Sequence, residues 1–250
     1  ATVYGNAGAG TQTAALSMGG HPGGRTATEE YNGTAWTAGG ALGTGRQNAG
    51  ACGTQTAGLI FGGQNPTASP DTIANTEEYN GTSWTAGGDL PTTKRGNAGA
   101  GTQTAGLSFG GTTPPGDSDV TNEYNGTSWT AGGVMTNGRF YLAGAGIQTA
   151  ALAIAGSGPS NKTEEYNGSS WTNGGNLNTG RRHLAAAGIT TAALAFGGDT
   201  PPSGTPGSTP TEQYNGSTWT NTTSMSVARF SFGGAGIQTA ALAFGGQGPP

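Results

Sequence analysis

Side chains able to do chemistry are few, and their positions limit what they could do. The 250-residue chain has two histidines, His21 and His183, and one cysteine, Cys52. One cysteine forms no internal disulfide and no cysteine-based zinc site. A copper centre made of a cysteine, two tyrosines and two histidines is disfavoured. Cys52 falls in a Gly/Ala segment, and the histidines fall at unrelated points of the repeat described below. No Ser-His-Asp constellation can be argued from two histidines. Asp117 and Asp119, in GDSDV, offer the hard oxygen donors that calcium takes, but a carboxylate pair in a Pro/Gly loop is more often simply solvated. The reading is no catalytic set, no cofactor and no metal; an enzyme with an unrecognised site is the remote alternative.

Charge recurs more regularly. A basic residue stands seven positions before a glycine at Arg46, Lys94, Arg139, Arg181 and Arg229, with Val3 in the first copy. An acidic residue stands one before a tyrosine at Glu30, Glu78, Glu123 and Glu165, with Gln213 in the fifth copy. One reading is a structural ion pair or strand-edge charge in each repeat. The other is a basic ring around one mouth of an axial channel, attracting anionic ligands. The net charge of −4 and only nine Lys and Arg argue against a nucleic-acid partner. No run of about 18 apolar residues exists, so no membrane-spanning helix and no membrane insertion are expected. The opening ATVYGNAGAG has no initiator Met and no basic or apolar leader, so a processed, tagged or partial chain is expected.

The elements that would position these residues come from a repeat. Gly 51 and Pro 13 make up about a quarter of the chain, a composition that alone reads as disordered. Periodicity overrules that. YNG[TS]xWT starts at Tyr31, Tyr79, Tyr124, Tyr166 and Tyr214, in steps of 48, 45, 42 and 48 residues. A second string, G[TI][QT]TAxLxxxG, starts at Gly10, Gly53, Gly101, Gly146, Gly188 and Gly236. The two alternate without linkers, so one domain spans 1–250, with repeats near 1–44, 45–92, 93–137, 138–179 and 180–227 and a half-repeat at 228–250. Such a period with short strands predicts a β-propeller with one four-stranded antiparallel blade per repeat.

Within a repeat, strand one is Gly/Ala-rich. Strand two places Ala57, Leu59 and Phe61 on one face, opposite a thinner face. Stacking bulky on thin around a ring would fill the gaps between blades. Strands three and four are read as a hairpin with Asn80-Gly81 as a two-residue type I′ loop, pairing Tyr79 with Thr82 and Glu77 with Trp84. The five asparagines of these turns, with Asn161 and Asn221, also sit in glycosylation sequons; the turn explains the five without glycans.

A basic residue, a small-residue strand, an apolar strand ending in Gly-Gly, then Glu-x-Tyr and a Trp five residues later resembles the kelch repeat. Here it reads RQNAGACGTQTAGLIFGG, then TEEYNGTSWTAGG. The near-identical, Thr/Gly/Ala-biased copies are also similar to kelch-like arrays of marine phage and bacterial surface proteins. The resemblance implies a binding or scaffold module, since most kelch-like proteins are not enzymes.

Six strand one–two units accompany five strand three–four units. Either six blades close with the last incomplete, or five close and one hairpin is spare. An unfinished blade would expose a strand edge near Ala243 and Phe244, blunted by Pro249-Pro250 or covered by another chain through self-association. Strand two–three loops vary in length and sequence, whereas the opposite side is nearly constant. The candidate ligand residues on these loops are His21, Arg25, Asn65, Asp71, Asp117, Asp119, Lys162 and Asp199, besides the recurring bases. The loops carry no aromatic residue, which weakens sugar stacking. The expected role is a structural or adhesive module, extracellular or on a virion, bound to protein partners of a larger assembly or to a host surface glycan. A lectin-like propeller is the alternative.

Overall fold

Alternating small and apolar residues, broken every few positions by glycine, leave the chain short extended runs joined by tight turns, and no stretch with helical periodicity. The computed structural model describes residues 3–158, 160–200 and 207–248, and its regular structure there is entirely β. Blade 1 is β1 (Ala7–Gly10), β2 (Ala15–Met18), β3 (Thr28–Tyr31) and β4 (Trp36–Ala38). Blade 2 is β5 (Gly50–Thr54), β6 (Ala57–Phe61), β7 (Thr76–Tyr79) and β8 (Trp84–Ala86). Blade 3 starts with β9 (Ala98–Thr102) and β10 (Ala105–Phe109) and carries a small loop hairpin, β11 (Thr112–Thr113) and β12 (Gly116–Asp117). It ends with β13 (Thr121–Tyr124) and β14 (Trp129–Ala131). Blade 4 is β15 (Ala143–Ile147), β16 (Ala150–Ile154), β17 (Thr163–Tyr166) and β18 (Trp171–Asn173). Blade 5 is β19 (Ala185–Ile189), β20 (Ala192–Phe196), β21 (Thr211–Tyr214) and β22 (Trp219–Thr222). A last hairpin, β23 (Gly233–Ile237) and β24 (Ala240–Phe244), has no outer pair.

The protein is thus a β-propeller of five complete antiparallel four-stranded blades plus an extra hairpin. That hairpin takes the sixth place in the ring. Strand β23 lies between β19 and β1, and β1 lies between β23 and β5. Just before each innermost strand, one residue donates its backbone N–H to the carbonyl of its counterpart in the preceding blade. Asn48 donates to Gly5, Gly96 to Asn48, Tyr141 to Gly96, His183 to Tyr141, Ser231 to His183, and Gly5 to Ser231, over 2.7–3.0 Å. This circle of six bonds closes without a gap. Pro249-Pro250, expected to blunt the last edge, lies outside the described residues.

Bulky side chains of one blade seat on bare backbone of the next. A Cβ on Gly106 would lie 2.7 Å from Leu59 Cδ2, and one on Gly99 would lie 2.8 Å from Phe61 Cζ, so both sites admit only hydrogen. Phe244 of the last hairpin sits in the same way against Gly8 of blade 1, closing the circle. Each fully buried side chain of this size contributes about 1.5–3 kcal/mol.

The outer hairpin departs from expectation. Tyr79 pairs directly with Trp84, Glu78 with Thr85 and Glu77 with Ala86, so the loop has four residues, Asn80–Ser83. The reason is an Asx turn. The Asn80 Oδ1 accepts the N–H groups of Thr82 and Ser83, both at 2.9 Å, and only Gly81 takes a positive φ, 90°. The aromatic pair becomes a cross-strand pair with ring centroids 4.8 Å apart. It also reaches the preceding blade, where Tyr79 Oη donates to Glu30 Oε1 and Trp84 Nε1 donates to Thr28 Oγ1 (2.8 Å). Burial first, then the hydrogen bond to a carboxylate, pushes Tyr124, Tyr166 and Tyr214 up to about 12.

Of the two readings of the recurring bases, the structural ion pair holds and the basic ring does not. Arg46, Lys94, Arg139 and Arg181 are buried inside the blades and form no anion-attracting ring. Their partner is the acid two before the tyrosine, because the acid one before it is committed to the next blade's tyrosine. Arg139 meets Glu164 at 2.8 Å, Arg181 meets Glu212 at 3.1 Å, and Arg46 pairs with Glu77. Lys94 has no such acid; Asn122 stands there, and its Oδ1 accepts from Nζ at 3.1 Å. Burial without a countercharge pulls the Lys94 ammonium down to about 8.

Two outcomes follow for these pairs. Glu164→Ala leaves the buried Arg139 charge unpaired and should cost about 3–5 kcal/mol in denaturant unfolding. In the unfolded chain Lys94 titrates near 10.5, so between pH 8 and 10.5 this side chain holds more proton unfolded than folded. Stability should therefore rise with pH from 8 to about 9, with the full burial cost present below it; above that, Cys52 and the three tyrosines, which folding raises to about 12, oppose the rise. Asn122→Glu should remove that rise and add about 2 kcal/mol at pH 7, seen as a Tm increase of about 4–8 °C.

Candidate functional site

The residues that differ most from blade to blade gather on one end of the ring. The first circle is the hydrogen-bonded one at the channel mouth: Gly5, Asn48, Gly96, Tyr141, His183 and Ser231, all at positive φ between 52° and 63°. Glycine suits that conformation; Asn48, Tyr141, His183 and Ser231 occupy it at a steric cost of about 1–2 kcal/mol each. The mouth encloses a depression of about 100 Å³.

The second circle is the residue before each of these: Tyr4, Gln47, Arg95, Phe140, Arg182 and Phe230. The third is the residue after the double glycine of strand two. Single β-bridges join the two circles at Tyr4–His21, Gln47–Gln64, Arg95–Thr112, Arg182–Asp199 and Phe230–Gln247. In blade 4 the Ser157 N–H donates to the Phe140 carbonyl at 2.8 Å. Backbone pairing therefore holds the outer two circles on the blade ends, rather than leaving them to mobile loops.

Their side chains are linked. His21 Nδ1 lies 3.0 Å from Gln47 Oε1, Gln47 Nε2 donates to Gln64 Oε1 (3.2 Å), and Gln64 Nε2 donates to Asp71. Arg95 Nη1 stands 3.6 Å from the same Asp71 carboxylate. The hydrogen bond from Gln64 holds the Asp71 carboxyl below its usual range. Across the mouth, Asp199 accepts from Arg182 Nε (3.2 Å) and lies 2.8 Å from His183 Nδ1. Burial works to raise the Asp199 pKa, but the bonds from His183 and Arg182 outweigh it and keep it low. Tyr141 stacks on His183 with centroids 3.8 Å apart, and Tyr4 lies over His21 at 4.5 Å. The result is a rigid face of amide, carboxylate and guanidinium groups beside exposed edges of aromatic rings.

Of the sequence candidates, the structure brings His21, Asp71 and Asp199 into this network. Arg25 and Asn65 are half-buried at its rim, where Asn65 Oδ1 accepts from Thr67 within its own loop. Asp117 and Asp119 flank the buried Ser118, and Asp117 accepts from Ser157 Oγ at 2.7 Å. Lys162 is exposed, while its carbonyl accepts from buried Arg139. Arg229 sits apart, at the seam beside the last hairpin. Cys52 is buried, and burial pushes its thiol up to about 12, so it stays neutral. Sequence reading missed Asn48, Arg95, Tyr141 and Arg182, and with them the aromatics of this face. The signal was present: the two positions after each recurring base read QN, RG, FY, RH and FS in an otherwise constant repeat. Ser231→Gly should relieve the strain at φ 52° and raise stability by about 1 kcal/mol, measured by thermal unfolding.

Compared with known proteins, no family model and no curated sequence matches the chain. Among solved structures it is similar to that of YjhT, with a TM-score of 0.81, 14% identity, and coverage of 100% of this chain and 92% of that one. At that identity the likeness speaks for the propeller fold alone.

Proposed function

We propose that the protein is a non-enzymatic recognition module of kelch type, displayed outside the cell or on a virion, that adheres to a surface glycan through the end carrying the three variable circles. One observation carries this reading. Variation between the copies is concentrated on one rigid face, where four mouth residues adopt strained backbone that glycine would relieve. Strain of that kind clusters where side chains meet a ligand. The chemistry suits a polyhydroxylated ligand: planar amide, carboxylate and guanidinium groups to exchange hydrogen bonds, and the rings of Tyr4, Tyr141 and Phe230 to stack on apolar sugar faces. These aromatics come from the segments entering strand one, so their absence from the strand two–three loops does not count against stacking. The low total charge suits a neutral ligand better than a polyanion.

Glycan-array binding tests the reading. Tyr141→Gly and Arg182→Ala should each weaken the binding of any retained glycan at least about tenfold, with folding intact. Thr56→Ala and Thr104→Ala, on the opposite face, should leave it unchanged. Binding lost through the opposite face, or turnover of a sugar by the wild-type chain, would overturn the proposal.

A further inference from the structure

The seam between blades 5 and 1, where the last hairpin lacks an outer pair, is built as a socket. We propose that it docks one β-hairpin of the chain's own outer type, Thr-Glu-x-Tyr-Asn-Gly-x-x-Trp, by adding two strands to β24. The cleft there has a volume of about 470 Å³.

The argument rests on groups that are satisfied in every complete boundary and open at this one. Strands β2, β6, β10, β16 and β20 each pair on their outer edge with a third strand, and β24 does not. Arg181 donates to the carbonyls of Gly197, Pro210 and Ala195 and to Glu212, whereas among the described residues the Arg229 guanidinium donates to Gly245 alone (3.0 Å). On the wall formed by blade 1, Trp36 packs on Phe244 with centroids 5.0 Å apart yet is 36% exposed, against 4–7% for Trp129, Trp171 and Trp219. The other four tryptophans donate Nε1 to a threonine of the preceding blade. Among the described residues nothing accepts from Trp36 Nε1, and nothing meets the Tyr31 hydroxyl.

Register is set by homology between blades. In blade 5, Phe196 faces Thr211, Ala195 faces Glu212 and Ala193 faces Tyr214. A hairpin on β24 in that register places its threonine opposite Phe244 and its first glutamate opposite Ala243. The threonine hydroxyl accepts from Trp36 Nε1, and the first glutamate takes the free end of Arg229. The residue before its tyrosine, a glutamate in four of the five copies, accepts from the Tyr31 hydroxyl. On the blade 5 wall, Thr211 Oγ1 accepts from the incoming tryptophan, and Gln213 offers an amide oxygen to the incoming tyrosine. Both walls, the edge and the charge specify the same occupant, by the same mode in which extended peptides extend exposed sheets.

The test is a titration of the folded chain with a synthetic peptide spanning residues 160–175, SNKTEEYNGSSWTNGG, followed by calorimetry and by hydrogen exchange of the β24 amides. Saturable one-to-one binding with slowed exchange at Ala241–Phe244 is expected. Replacing the peptide's first glutamate by glutamine should weaken binding about 10- to 100-fold, and Arg229→Gln in the protein should do the same, with no further loss when both are changed. A peptide of the inner type, residues 143–154, should not bind. Absence of binding, binding indifferent to the glutamate-to-glutamine peptide, or self-association of the chain that the peptide does not compete away would each overturn the proposal; the last would assign the seam to a second copy. The socket is read by peptide binding at β24 and the variable face by glycan binding through Tyr141 and Arg182, so either reading can fail without the other.

Discussion

The protein depends on how closely one sheet approaches the next. Leu59 and Phe61 of blade 2 press on Gly106 and Gly99 of blade 3 at distances where even a methyl group would collide. That approach lets a chain with few large apolar residues bury them almost completely. It also accounts for a composition that resembles disorder: glycine and alanine here are the receiving half of an interlocking surface. Because each blade is bulky on one side and bare on the other, the contact has a direction, and only a closed circle satisfies every copy.

Polar groups repeat the same directional logic. In blades 2 to 5 each tyrosine and tryptophan of the outer hairpin reaches back to a carboxylate and a threonine on the preceding blade. Gln55, Gln103, Gln148 and Gln238 of the inner turns reach back likewise; Gln103 Nε2 donates to the Gly58 and Tyr79 carbonyls at 3.1 and 2.7 Å. The buried arginines are neutralised within their own blade, so their charges support the outer strands instead of facing a ligand. One departure falls where the pattern has no neighbour: Gln213 replaces the acid that would serve a sixth tyrosine.

Two surfaces escape the repeat. One is the end of the ring where three circles of residues differ from blade to blade and several take up left-handed backbone. The other is the seam, where partners on both walls face a missing pair of strands. The first is suited to a ligand that varies in its polar groups; the second is suited to one specific shape.

Much of this was legible in the residues. Alternation and the repeat period implied four-stranded blades, because a sheet packed on both faces must distribute bulk and bareness along every copy. The six inner and five outer motifs implied a closed ring with either an incomplete sixth blade or a spare hairpin. The Asn80–Ser83 turn was misjudged because an asparagine side chain can bond to the turn it begins, lengthening the loop by two residues without a change in sequence signal. Which acid meets Arg46 or Arg139 was not readable either: two acids stand side by side before Tyr79 and Tyr166, and strand alternation sends the first to the blade's own arginine and the second to the next blade's tyrosine. The variable face was hidden for a similar reason. Tyr141 and His183 are separated by 42 positions, and only closure of the ring brings equivalent points of successive blades within stacking distance. Local sequence thus determined the strands and their period, whereas the circle, a long-range constraint on all copies at once, decided which side chains meet.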